Sequence, residues 1–108
     1  MTTFNDREKA FEAQYARDQE LQFKITARRN RLLGRWAAEL MGLTEVEAEA
    51  YAKDIIRADF EEAGDEDVIR KLLGDLTSAG VDTDESRIRD ALHEKQVEAR
   101  RQFIEAQN

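Results

Sequence analysis

Two short stretches of the sequence, ELMGLTE and TSAGVDT, place a glycine directly before an apolar residue. Glycine readily adopts the left-handed conformation that ends a helix, and the apolar residue after it packs back onto the last helical turn. Thr44 and Glu47 then form the pattern of a capping box, which starts the next helix. We therefore expect a helix to end just before Gly42, another to begin at Thr44, and a third to end just before Gly80.

The residues between these signals favour helices throughout. The chain has no proline among its 108 residues, and 38% of them are charged. Good helix formers are abundant, whereas the alternating apolar pattern of strands is absent. The first predicted helix ends at about Leu40, the second runs from Thr44 to about Ala63, the third starts at 65–67, and the fourth starts at 82–85 and runs towards Ala106.

Each predicted helix has an apolar face at helical spacing, and short connections favour antiparallel neighbours. We therefore predict an all-α fold, a four-helix bundle. The predicted core residues are Leu21, Ile25, Leu32, Leu33, Trp36, Leu40 and Leu43 in the first helix; Val46, Ala52, Ile55, Ile56 and Phe60 in the second; Val68, Ile69, Leu72, Leu73 and Leu76 in the third; and Ile88, Leu92, Ala99 and Phe103 in the fourth.

The first 20 residues contain few large apolar side chains: Phe4, Phe11 and Tyr15. Burying three such side chains offsets little of the entropy lost when a segment of this length becomes ordered. We therefore divide the chain into a mobile N-terminal amphipathic segment, residues 1–19, and the bundle, residues 20–108. The segment either binds a groove on a partner or docks on its own bundle, and the residues favour neither over the other.

Several classes of function are disfavoured. A net charge of −7 argues against nucleic-acid binding, and no apolar run is long enough to span a membrane. The absence of cysteine excludes thiolate metal sites and suits a reducing cytoplasm. The single histidine, His93, lies on a predicted surface face, and the acidic stretch DFEEAGDED lacks the bidentate glutamate of a calcium loop. We therefore expect neither an enzyme nor a metal site.

A basic cluster, ARRNRLLGR, is a candidate anion site. Arg28, Arg31 and Arg35 are three and four residues apart, so they share one face of the first helix. Such a row of guanidinium groups could bind phosphate or a nucleotide. The alternative is that these arginines pair with acidic residues of the same chain, around Glu61 to Asp67, as charged surface residues commonly do.

Two stretches carry a family resemblance: DREKAFEAQYARDQELQFKITARRNRLLGRWAAE and DFEEAGDEDVIRKL. They closely resemble the ζ subunit family of alphaproteobacterial F-type ATP synthases, and the resemblance covers essentially the whole chain. It implies a four-helix bundle whose N-terminal region inserts as a helix at a catalytic α/β interface of the F1 head, near the γ shaft. The resemblance also implies that this insertion hinders rotation in the hydrolytic direction while ATP synthesis continues.

By position, the resemblance implies an inhibitory element made of Phe4, Asp6, Arg7, Glu8, Phe11, Glu12 and Tyr15. The implied partners are the α, β and γ subunits of F1, bound by a monomer. The implied location is cytoplasmic, at the inner membrane through ATP synthase and without direct membrane insertion. No cofactor is expected beyond weak ATP or ADP binding. The alternative is a nucleotide-responsive regulatory or assembly bundle of the ATP synthase without strong inhibition.

Overall fold

The computed structural model describes the backbone of residues 2–59 and 64–107, and the side chains of residues 17–59 and 64–106. Four helices make up this part of the chain, and no strand occurs in it. The all-α prediction is thus confirmed. The helices are α1 (Thr2–Leu40), α2 (Glu45–Ala58), α3 (Glu66–Ser78) and α4 (Glu85–Gln107).

The corner between α1 and α2 forms as its local sequence predicts. Gly42 has a φ of 72°, and the Leu43 N–H donates a hydrogen bond of 3.0 Å to the Ala38 carbonyl. Immediately afterwards, the Thr44 hydroxyl accepts from the Glu47 N–H, while the Glu47 carboxylate accepts from the Thr44 N–H. These bonds satisfy backbone groups that helix ends leave without partners. Both the glycine stop and the capping box are confirmed.

The corner between α3 and α4 repeats this design. Gly80 has a φ of 81°, and the Val81 N–H donates to the Leu76 carbonyl at 2.9 Å. The Asp84 side chain then accepts from the Arg87 N–H at 2.9 Å, as the residue that caps a helix start does. The predicted end of α3 and start of α4 are thereby confirmed.

The end of α2 differs from the prediction. The helix ends at Ala58, five residues before the predicted Ala63, and Asp59 makes its last turn. The Asp59 carboxylate lies 3.7 Å from the buried guanidinium of Arg29 in α1. Gly64, with a φ of 91°, precedes α3. Phe60, a predicted core residue, lies outside the described residues.

The core lies where all four helices meet. Its buried members come mostly from the predicted faces of α2, α3 and α4, together with Leu33 of α1. They are Leu33, Ala37, Ile55, Val68, Ile69, Leu72, Leu76, Ile88 and Ala91.

The buried face of α1 is rotated from the predicted stripe. Ala37 and Ala38 are fully buried, whereas Leu40 is 47% exposed. The reason is close packing at Gly34, where an added Cβ would lie 2.7 Å from the Ala52 Cα. Backbones this close require small residues on the buried face, so larger side chains move to its edges. Val46, predicted as part of the apolar arc of α2, is also exposed.

The helix α1 is much longer than the part of it that packs in the bundle. Its 39 residues span about 58 Å, and the longest dimension of the molecule is 66 Å. Among the described side chains of α1, residues 17–20 are exposed, Leu21 is half-buried, and Ile25 is the first that is buried. The helix runs without interruption through residues 19 and 20, so a division into 1–19 and 20–108 corresponds to no break in the backbone. That division, and the mobility of the segment, stay predictions.

Candidate functional site

The predicted inhibitory residues belong to the N-terminal part of α1. Their backbone is helical, but their side chains lie outside the described residues. Their contacts with a partner therefore stay a prediction. These residues are Phe4, Asp6, Arg7, Glu8, Phe11, Glu12 and Tyr15.

The three arginines of the candidate anion site each have a partner within the bundle. Arg31 and Arg35 both contact the Glu49 carboxylate of α2, at 3.1 Å and 2.6 Å, and Arg35 also pairs with Glu45. Arg28 turns towards α4, where it donates to a glutamine side chain and lies 5.1 Å from the centre of the Phe103 ring.

Although these arginines share a helix face, the structure does not direct them to one common point. Arg31 and Arg35 do pair with acidic residues of the same chain, as the alternative expects, but the partners that the structure describes are Glu45 and Glu49 of α2. Glu61 and Glu62, which the alternative also named, lie outside the described residues. The hydrogen bond from Arg31 lowers the pKa of Glu49, so this carboxylate stays ionised as a partner. Anion binding by the cluster stays a prediction.

Arg29, which the sequence analysis did not single out, is the one buried cation among the described residues. Its guanidinium donates at 2.9 Å to Asp65, at 2.9 Å to its neighbour Asn30, and at 3.3 Å to Gln96. Asp59 lies 3.7 Å away. Arg29 and its neighbour lie in α1 and Gln96 lies in α4, whereas Asp59 is at the end of α2 and Asp65 at the start of α3. We refer to Arg29, Asn30, Asp59, Asp65 and Gln96 as the Arg29 network.

The Arg29 network satisfies the polar groups that it buries. Within the described side chains, no buried nitrogen or oxygen lacks a hydrogen-bond partner. A buried guanidinium is tolerated only when it is paired and hydrogen-bonded in this way. The signal that could have revealed it is its position, because Arg29 lies midway between two buried residues of the same stripe, Ile25 and Leu33. The network therefore links the end of α2 at Asp59 and the start of α3 at Asp65 to α1.

A second polar contact joins α2 to α3. The Tyr51 hydroxyl donates to the Asp75 carboxylate at 2.7 Å, and Lys71 contacts the same carboxylate at 3.0 Å. Burial raises the pKa of Tyr51 above its usual range, and the bond to Asp75 adds to the shift. The phenol therefore remains a hydrogen-bond donor at physiological pH.

A surface cleft of about 480 Å³ lies between α1, α2 and α4. It combines the indole of Trp36 with two cations, Arg35 and Lys95, and with two carboxylates, Glu39 and Glu45. The aromatic surface and cations suit a planar anionic ligand, whereas the carboxylates oppose one. Its remaining lining residues are Leu32, Leu43 and Ala48.

Metal ligands, the histidine and helix length are further features of the described residues. No group of three or more potential ligands is arranged to hold a metal ion there. His93 is exposed on α4, as predicted. Of the helices in the described part of the chain, none is both long and apolar enough to cross a membrane.

Comparison with known proteins identifies the family. The sequence profile described as ATPase inhibitor subunit zeta matches residues 1–102. The chain belongs to this zeta family. A solved structure, obtained by solution NMR, is 44% identical to the chain with a TM-score of 0.71; the match covers 80% of this chain and 98% of that one. No curated protein matches the chain.

Membership of the zeta family confirms the resemblance seen in the sequence. It assigns the chain to inhibitor subunits of an ATPase, and thus to a regulatory role. The helical fold and the NMR relative agree with it. Because the family consists of inhibitor subunits of an ATPase, association with the ATP synthase is a property of the family to which the chain belongs.

Proposed function

We propose that the chain stops ATP hydrolysis by the F1 head of the bacterial ATP synthase by inserting the N-terminal part of α1 at a catalytic α/β interface, beside the γ shaft. An inserted helix would oppose rotation in the hydrolytic direction and leave ATP synthesis running. In this proposal a monomer of the zeta protein acts on the cytoplasmic side of the inner membrane, held there by the synthase. Family membership supports the target.

The observation that carries the proposal is where the packing of α1 begins. Of its described side chains, those of residues 17–20 are exposed, and Ile25 is the first to be buried. The part of α1 from Thr2 to Leu21 would extend about 30 Å as a helix. A single helix of this length is a suitable element for a groove on a larger partner.

Within that element, the aromatic residues would provide most of the binding free energy. Phe4, Phe11 and Tyr15 share one side of the helix by their spacing. Large aromatic side chains that fill pockets are the usual anchors of protein interfaces. The charged residues would set register and association rate: Asp6, Arg7, Glu8 and Glu12.

The test uses F1 purified from the same organism and the rate of ATP hydrolysis. We expect the full chain to slow hydrolysis, and we expect F4S/F11S/Y15S and a deletion of residues 1–19 to abolish this inhibition at the same concentration. A helical circular dichroism spectrum and an unchanged melting transition would show that the bundle of each variant is intact. Unchanged inhibition by the deletion variant would refute the proposed role of this segment.

A second candidate, a nucleotide-responsive regulatory or assembly bundle, is favoured by the Trp36 cleft. Arg35 and Lys95 lie beside an indole there, which could stack on a base. Weak ATP or ADP binding would then bias the interaction with the synthase. Arg28 and Arg31 would contribute charge from the neighbouring face of α1.

Titration with ATP separates the two candidates. Amide shifts that saturate around Trp36 and disappear in K95Q, but persist in the control R101Q, would support nucleotide binding. Shifts that sodium chloride reproduces at equal ionic strength would remove this candidate.

A further inference from the structure

The outer face of α4 carries two large aliphatic side chains that the fold does not use. Val97 is 51% exposed and Ile104 is 50% exposed. They are seven residues apart, so they lie on one side of the helix, opposite the buried residues Ile88 and Ala99. A helix that is amphipathic towards its own bundle usually has a polar outer face. The last three turns of α4 therefore have a second apolar stripe.

Two arginines lie within this stripe. Arg100 and Arg101 are exposed, and neither forms a salt bridge among the described residues. Most other arginines of the bundle do form one, including exposed Arg31 and Arg89. The stripe therefore combines apolar area with unpaired positive charge.

Acidic and basic residues are also distributed unevenly along the chain. Residues 44–85 contain 14 acidic and 4 basic residues, whereas the rest of the chain contains 10 acidic and 13 basic residues. The protein is acidic because of its α2–α3 half, whereas α1 has eight basic and six acidic residues and α4 has five of each. An acidic partner surface would therefore be repelled by the α2–α3 half but not by the α1–α4 side.

The stripe also lies close to the point at which α1 leaves the bundle. Arg28, one turn after Ile25, donates to Gln102 at 2.7 Å and lies over the Phe103 ring. These two residues are neighbours of Arg101 and Ile104 in the last turns of α4. A partner that holds the projecting part of α1 would therefore come close to the stripe.

We infer that the outer face of α4, formed by Val97, Arg100, Arg101 and Ile104, is a second contact with the ATPase, and that it fits a surface on which carboxylates surround an apolar patch. This inference rests on the proposed function, because the projecting helix brings the partner to this end of the bundle. The stripe adds a contact made by the bundle itself.

Charge argues against a second copy of the chain as the occupant. If two α4 helices paired through this face, in antiparallel fashion about its centre, the arginines at positions 100 and 101 of both copies would face one another. Like charges directly opposed at an interface are destabilising. A partner that supplies carboxylates there avoids this repulsion.

The first experiment removes the apolar area of the stripe. We expect V97S/I104S, in the full chain, to weaken binding to isolated F1 about tenfold, because two aliphatic contacts are lost. Serine and these β-branched residues have similar helix propensities, so the fold should persist. The matched control is V46S, which changes a valine that is 81% exposed on α2. It should bind F1 as the unchanged chain does.

The second experiment removes the charge. R100Q/R101Q should lower the association rate with F1 several-fold at low salt, and the difference should shrink at high salt as screening increases. This variant also tests the inference independently if V97S/I104S proves unstable.

The outcomes distinguish this inference from the proposed function. If F4S/F11S/Y15S loses binding while V97S/I104S and R100Q/R101Q bind as tightly as the unchanged chain, the α4 contact is wrong and the proposed function stands. If the unchanged chain itself does not bind F1, the proposed function fails. If sedimentation shows a dimer that V97S/I104S converts to a monomer, the stripe serves self-association and the inference is wrong.

Discussion

The helix α1 contacts its neighbours in two different ways, only a turn apart. At Gly34 it approaches α2 so closely that an added Cβ would meet the Ala52 backbone at 2.7 Å. One turn earlier, Arg29 reaches the caps of α2 and α3 through charged hydrogen bonds. The Gly34 contact depends on the absence of atoms, whereas the Arg29 network depends on charges placed within hydrogen-bonding distance. The two contacts should therefore respond oppositely to substitutions that remove or add atoms.

The largest effect is expected from removal of the buried cation. R29A should lower the free energy of unfolding by about 3–5 kcal/mol, because it leaves Asp59, Asp65 and the Asn30 amide without their shared donor. Urea denaturation followed by circular dichroism measures this change.

The matched control for R29A is R31A, which removes an exposed arginine of the same helix. An exposed ion pair contributes about 0–1 kcal/mol, so R31A should change stability little. Equal losses in the two variants would contradict the special role given to the buried network.

The next effect is expected from addition of one methyl group at Gly34. G34A should destabilise the protein by about 1–3 kcal/mol, since α1 and α2 must move apart to admit the Cβ. G74A is the matched control, because that glycine lies in α3 with no atom within 4 Å of an added Cβ. It should raise stability by up to about 1 kcal/mol through helix propensity.

Thermal denaturation of G34A and G74A decides whether the α1–α2 contact is as tight as described. A melting temperature of G34A that rises as that of G74A does would show that the helices have room for the methyl group.

The smallest expected effect is on the stability lost at low pH, through two glutamates of α2 whose pKa values are lowered in the fold. A hydrogen bond from the Thr44 N–H lowers the pKa of Glu47, and one from Arg31 lowers that of Glu49, below the usual 4.5. Such groups stabilise the fold above their unfolded pKa, and this stabilisation is lost as the pH falls through the lower folded pKa. We therefore expect E47Q/E49Q to flatten the fall in melting temperature below about pH 4.5.

The pH experiment has a clear control in E105Q, an exposed glutamate for which the structure provides no salt bridge among the described residues. If E105Q reduces the fall in melting temperature at low pH as much as E47Q/E49Q does, the capping box and the Arg31–Glu49 pair do not cause that fall.

Helix ends were the most predictable feature of this fold, because their signals are local. The stop at Gly42 and the capping box at Thr44 need only six neighbouring residues, and both formed as expected. The predicted end of α2 at Ala63 was wrong: the helix ends at Ala58, and the next residue, Asp59, contacts Arg29, which is 30 positions away and which no local signal identifies.

The buried face of α1 was harder to predict because close packing reverses the usual preference for large apolar side chains in the core. Leu40 is the larger and more apolar residue, yet Ala37 and Ala38 are buried. Only the nearness of α2 at Gly34 makes small residues the better choice. Arg29 was missed for a related reason, since its long side chain counts as polar in any hydropathy pattern although the partners that satisfy it lie on other helices.

The functional part of the prediction depended on resemblance more than on residue chemistry. The family was correctly identified from the two quoted stretches, and the profile match confirms it. The inhibitory residues from Phe4 to Tyr15 stay predictions, because their role requires a partner surface that this sequence does not contain. The row formed by Arg28, Arg31 and Arg35 shows that spacing on a helix identifies a shared face, but long side chains can still diverge from it.

The width of the bundle limits how deep the proposed insertion can go. The two shorter dimensions of the molecule are 29 and 22 Å, whereas a single helix with its side chains is about 10–12 Å across. A cleft that admits α1 alone would exclude the other three helices. The bundle would therefore stop the insertion near Ile25. The depth that the tip of the helix reaches would then be set by the width of the bundle and not by contacts of residues at the tip.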